Sequence, residues 1–94
     1  MYIQALTFTE AGMQHVMHMS QFIGKATKVI EGQKGRLLQS YATLGSFDIF
    51  LIIEAPDNAA AVRIGALIDA LGVARTQTLP AIPVEQMVQK GEIG

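Results

Sequence analysis

Leu37-Leu38-Gln39-Ser40-Tyr41-Ala42-Thr43-Leu44-Gly45-Ser46-Phe47-Asp48-Ile49-Phe50-Leu51-Ile52-Ile53-Glu54-Ala55 is the stretch on which the fold turns. Leu37–Leu44 reads as a strand, Gly45-Ser46 as a tight turn and Asp48–Ala55 as the returning strand. Ile49 to Ile53 has the β-branched and aromatic density of a strand buried on both faces. If the turn pairs Thr43 with Asp48, Tyr41 stands opposite Phe50 and Gln39 opposite Ile52. Side chains alternate along a strand, so one face of this hairpin carries Gln39, Tyr41, Thr43, Asp48, Phe50, Ile52 and Glu54. The other carries Leu38, Ser40, Ala42, Ile49, Leu51 and Ile53, small and aliphatic, as a face under helices requires.

Outward from the hairpin the pattern alternates between strand and helix. Met1–Phe8 reads as a strand, and Thr9 caps the helix that follows. From Glu10 to Lys34, Met13, Val16, Met17, Ser20, Ile23, Ala26 and Ile30 form one stripe, opposite Gln14, His18, Gln21, Lys25 and Lys28. Unbroken, that helix would run about 36 Å, whereas a seven-residue strand spans only about 23 Å. A break is therefore expected near His18–Ser20, with Ser20 capping the second piece and Gly32 and Gly35 stopping it. Past Glu54, Pro56 ends the strand, Asp57 caps a helix over Asn58–Leu71, and Gly72 closes it. Val73–Leu79 is the fourth strand, and Pro80 to Pro83 lead into a short helical tail near Val84–Lys90. The order βαββαβ with right-handed crossovers gives a single α+β domain over residues 1–94, a ferredoxin-like sandwich. Its four-stranded antiparallel sheet has order 4-1-3-2, with both main helices on one face.

Composition says that this sandwich has apolar surface to spare. With glycine counted and tyrosine left out, 54 of the 94 residues are apolar, 57%, against about 45–50% in ordinary soluble domains. A domain this small buries only about 60–70% of its unfolded surface. The surplus falls on Tyr41, Phe50 and Ile52, on the face that a monomer would leave wet. Contiguous apolar patches of that kind mark contacts or binding sites. A second subunit covering this face is the expectation, with a cavity between the two lined by its polar members.

Other classes lose support on the same numbers. The net charge is −1 and the seven basic residues are scattered, without the cluster that nucleic acid or an anionic membrane requires. Ile49–Ile53 is the longest bulky apolar run, far short of the ~20 residues of a bilayer span. The first residues lack a signal-peptide pattern. Zero cysteine removes disulfides, thiolate metal sites and cysteine nucleophiles. A cytoplasmic protein is the expectation.

Individual motifs are mostly structural. His15 and His18 share helical spacing suited to a metal, but no acidic residue lies one turn away, and a solvated face is the simpler account; no metal and no cofactor are expected. Met13, Met17 and Met19 read as adaptable core. Gly24-Lys25-Ala26-Thr27 lacks the upstream glycine of a phosphate loop. Gly32-Gln33-Lys34-Gly35 fits the GxxG of an RNA-binding loop, but without basic surroundings it reads as a helix stop. Asp48 and Glu54 are about 20 Å apart along one strand, too far for an acid/base pair. Asp48, beside the turn, is suited to accepting hydrogen bonds from the backbone or Thr43, with a buried polar role at a subunit interface as its alternative. Arg75 reads as an edge-strand charge, with an anion contact or an intersubunit ion pair as its functional alternative.

Tyr41-Ala42-Thr43-Leu44-Gly45-Ser46-Phe47-Asp48, followed by Ile53-Glu54-Ala55-Pro56-Asp57, resembles the GYD domain family. The turn motif is Gly45, Phe47 and Asp48, with phenylalanine where the family's namesake pattern has tyrosine. Val73–Leu79 and the opening strand with Thr9-Glu10-Ala11-Gly12 are similar to the family as well. The resemblance implies a small bacterial or archaeal domain of the dimeric α/β-barrel group, in which two ferredoxin-like sheets close face to face. It carries no activity, and Phe47 removes any role that rests on a phenol.

The expected function is a self-associating cytoplasmic domain, a homo-oligomer that serves as a small-ligand binding or structural assembly module. The rival is a cofactor-independent oxygenase or isomerase acting on a small organic substrate in a barrel cavity. There Tyr41 and Asp48 would polarise or move protons, and Arg75 or Gln39 would orient the substrate. A third possibility, an assembly module working with a separate protein, would use the same face without chemistry.

Overall fold

The computed structural model describes residues 1–14 and 18–89. The expectations for His15, Val16 and Met17, and for the tail's last residue Lys90, lie outside the described residues. Strands run β1 Tyr2–Phe8, β2 Arg36–Ala42, β3 Ile49–Glu54 and β4 Ala74–Pro80. Helices are α1 Glu10–Gln14, α2 Met19–Gly32, α3 Asn58–Asp69 and α4 Val84–Gln89. The antiparallel sheet has order β2-β3-β1-β4, the same as 4-1-3-2, so the α+β ferredoxin-like fold stands. α3 packs on β4, α2 on β2, and the two helices touch.

Alternation decides what enters the core. Leu6, Ile49, Leu51 and Ile53 from the sheet meet Ile30, Ala26, Ile64 and Ile68 from the helices, all but excluded from solvent. One polar side chain lies among them. Gln4 is fully buried, and its Nε2 donates to the carbonyl of Ala61 on α3 and to Thr78 Oγ1 on β4, 3.1 Å each. Gly65 lets the helix approach that junction, since a Cβ there would stand 2.9 Å from Thr78 Oγ1.

The hairpin register is the expected one, Tyr41 opposite Phe50 and Gln39 opposite Ile52, but β2 carries a bulge between Leu37 and Gln39. The extra residue turns the alternation. Leu37, opposite Ile53, packs on the core instead of Leu38, which the simple alternation had placed under the helices. Ser40 and Ala42 stay exposed at the uncovered end of this edge strand.

The helix ends hold two further corrections. α2 starts at Met19 with His18 in the cap position and no side-chain cap bond, so Ser20 lies inside the helix rather than capping it. At the other end the left-handed residue is Lys34 (φ 65°), not a glycine. Gly35 N–H reaches back to Ile30 O and Lys34 N–H to Glu31 O, both 2.9 Å, the paired bonds of a Schellman ending. Gly35 is needed for close approach instead: a Cβ would sit 2.6 Å from Glu54 O. The caps at Thr9 and Asp57 form as expected, with Gly12 N–H bonding Thr9 Oγ1 at 3.1 Å and Ala60 N–H bonding Asp57 Oδ1 at 2.8 Å. Gly72 takes φ 84° just past α3.

Candidate functional site

The sheet face away from the helices is built in cross-strand rows, read directly from the register, with Arg36 opposite Glu54 at one end. Gln39, Ile52, Ile3 and Leu79 form the first; Tyr41, Phe50, Ala5 and Gln77 the second. The third ends in Thr7 and Arg75 on β1 and β4, with Thr43 and Asp48 at the mouth of the hairpin. Tyr41 keeps 53% of its surface exposed and Leu79 46%. Phe47, from the turn, lays its ring edge-to-face against Phe50 with centroids 5.5 Å apart. Such aromatic pairs favour each other beyond simple burial. The face therefore presents aromatic and aliphatic side chains across four strands, fringed by the amides of Gln39 and Gln77, the guanidiniums of Arg36 and Arg75, and the Glu54 carboxylate.

The polar residues at the hairpin mouth have local work. Asp48 Oδ2 accepts from Phe8 N–H at 2.8 Å, Asp48 N–H donates to Leu6 O at 2.8 Å, and its carbonyl accepts from Thr43 N–H at 2.9 Å. One residue thus fastens the turn to the end of β1. Thr43 Oγ1 donates to Phe47 O at 2.7 Å and Thr7 Oγ1 to Ser46 O at 3.3 Å. Gly45, at φ 117°, takes the turn through a conformation that side chains resist. Gly45, Phe47 and Asp48 accordingly form one clasp: it shapes the turn, anchors it, and sets Phe47 on the apolar face.

The expected residues are not all gathered. Gln39, Tyr41, Phe50 and Ile52 stand side by side. Arg75 lies exposed on the far edge strand, two strands from the hairpin, and Glu54 faces the N-terminal ammonium at 3.7 Å. Reading the hairpin alone missed Ile3 and Leu79, although strand order and two-residue alternation put both in the row of Ile52. His18 sits at the start of α2, away from this face. No helix among the described residues is long and apolar enough to cross a membrane.

A groove of about 250 Å³ lies on the helix side, where β1, α2 and the segment after α3 meet. Phe8 and Phe22, edge-to-face at 6.5 Å, form part of its wall. Nothing in the chain's periodicity announced it, because its lining comes from four separate segments.

A protein of Thermus thermophilus named "Glutamine synthetase and cystathionine beta-lyase binding protein" is 29% identical to this chain over 90 residues, 95% of each. No solved structure matches the chain significantly. The GYD domain profile matches residues 2–90. The chain belongs to the GYD domain family.

Proposed function

We propose that this chain is a binding and assembly module that works through its open sheet face, pairing with a second copy and presenting the assembly to another protein. One observation carries the reading: the apolar surface of Tyr41, Phe47, Phe50, Ile52, Ile3 and Leu79 is contiguous across four strands. Four strands about 4.8 Å apart and six residues about 3.4 Å each cover roughly 400 Å². The whole face, polar fringe included, is thus the size of the largest patch on a typical monomer, one that is often functional, and about half of one partner's share of a standard interface. Leu44 at the hairpin tip and Ile82 beyond β4 are exposed as well.

The Thermus relative supports the second half of the proposal, since its name gives it two enzymes as binding partners. We extend to this chain a role of that kind, with glutamine synthetase and cystathionine beta-lyase as first candidates. The chemical rival draws less from the geometry. Asp48 Oδ2 and the Thr43 hydroxyl serve the clasp, and Arg75 stands two strands from the hairpin.

Sedimentation velocity at micromolar concentration tests self-association, with Tyr41→Lys and Phe50→Glu as interface variants. A dimer or higher species that the variants dissociate supports the proposal. Titration calorimetry against the two purified enzymes tests the partner. A monomer that binds neither enzyme overturns the reading.

A further inference from the structure

We infer that the groove on the helix side is a second binding site, for a small monocarboxylate with an apolar body. The groove is open to solvent and offers about 250 Å³ at the surface. Its walls are Phe8, Met19, Phe22, Leu71 and Val73. Phe22 is nearly buried and held edge-to-face by Phe8, so the floor is in place before anything binds. Gly12 lets α1 and the segment after α3 meet closely at one wall, where a Cβ would stand 1.9 Å from Val73 O.

Charge decides the chemical class. The rim is polar through His18, Gln21 and Lys25, and among the described lining residues Lys25 carries the fixed charge while none is a carboxylate. An apolar slot with a cation at its mouth suits an anionic head and a hydrocarbon body. A water molecule's share of liquid volume is about 30 Å³, so the groove takes a ligand of about eight to ten heavy atoms. It lies below the ~300–1,000 Å³ of pockets for drug-sized ligands, so a short ligand fills it best. The site faces away from the open sheet, so it stands or falls independently of self-association.

Octanoate is the probe, with octylamine and octanol as its cationic and neutral counterparts. The full chain is titrated with each and followed by amide chemical shifts. Octanoate is expected to bind saturably in the high-micromolar to millimolar range, with shifts grouped at Phe8, Phe22, Leu71 and Val73. It should bind about two- to fivefold more tightly than octanol, the size of one exposed charge contact, and more tightly still than octylamine. Lys25 is exposed on α2, so Lys25→Glu leaves the thermal melt near that of the parent and reverses the order of octanoate and octylamine. Absence of saturation for octanoate up to about 10 mM, a concentration at which even millimolar ligands register, overturns the site. Shifts confined to the Tyr41 and Phe50 face overturn its location, and an order unchanged in Lys25→Glu overturns the carboxylate.

Discussion

Asp48 joins two strands through its side chain and its backbone at once. Its carboxylate receives Phe8 N–H at the end of β1 while its own backbone closes the hairpin. A hydrogen bond to a charged group contributes about 1.5–3 kcal/mol, so Asp48→Ala should lose an amount in that range in urea unfolding. Asp48→Asn keeps an acceptor oxygen and should lose clearly less; equal losses would show that the charge, not the acceptor, matters. Gly12 is a second such position. The nearest atom to an added Cβ is the backbone oxygen of Val73, which also receives Thr9 N–H at 3.0 Å and cannot yield without losing that bond. Gly12→Ala should therefore destabilise by about 2–3 kcal/mol, the upper range for overpacking, read as a lower urea midpoint. Asp48's backbone role was legible in the sequence because a carboxylate beside a tight turn has few other things to do. Gly12's was not, since a close approach between residues 12 and 73 has no local signature.

Elements followed the same division. Strands and helices were legible wherever periodicity or a cap residue marked them: Asp57 before α3, Gly72 after it, and the aliphatic run of β3. The exceptions lie where tertiary packing overrode local preference. The bulge in β2 exchanges Leu37 for Leu38 in the core, a slip that two-residue alternation cannot foresee. At the end of α2, glycines at 32 and 35 advertised a left-handed stop, but Gly35 is held against Glu54 and the left-handed turn falls on Lys34. A side chain in that conformation costs about 1–2 kcal/mol, part of which glycine returns as unfolded-state entropy. Lys34→Gly should accordingly stabilise by about 0.5–1 kcal/mol, a rise in melting temperature that calorimetry resolves. A drop would mean that the lysine side chain makes a contact worth more than the strain.

As a whole the molecule is a slab, 47 × 29 × 17 Å, with a radius of gyration of 14.2 Å against about 12 Å for a globule of this length. One sheet and one helix layer give it that thinness, and the sheet's other side is the surface proposed for assembly. With a formal net charge of −1, its association should rest on apolar burial. Sedimentation should therefore give dissociation constants within about threefold of each other at low and at half-molar salt, where exposed charges are screened. A change of tenfold or more would assign the interface to Arg75 and its neighbours instead of Tyr41 and Phe50. The buried amide of Gln4 has a consequence in time as well as in space. Its two partners lie 57 and 74 residues further along the chain, so the junction of central strand, helix and edge strand cannot close before Thr78 has been made. Pairings of such separation fold slowly. A nascent chain that has not yet produced Thr78 holds Gln4 and its aliphatic neighbours open to water, and the domain becomes itself only when its fourth strand arrives.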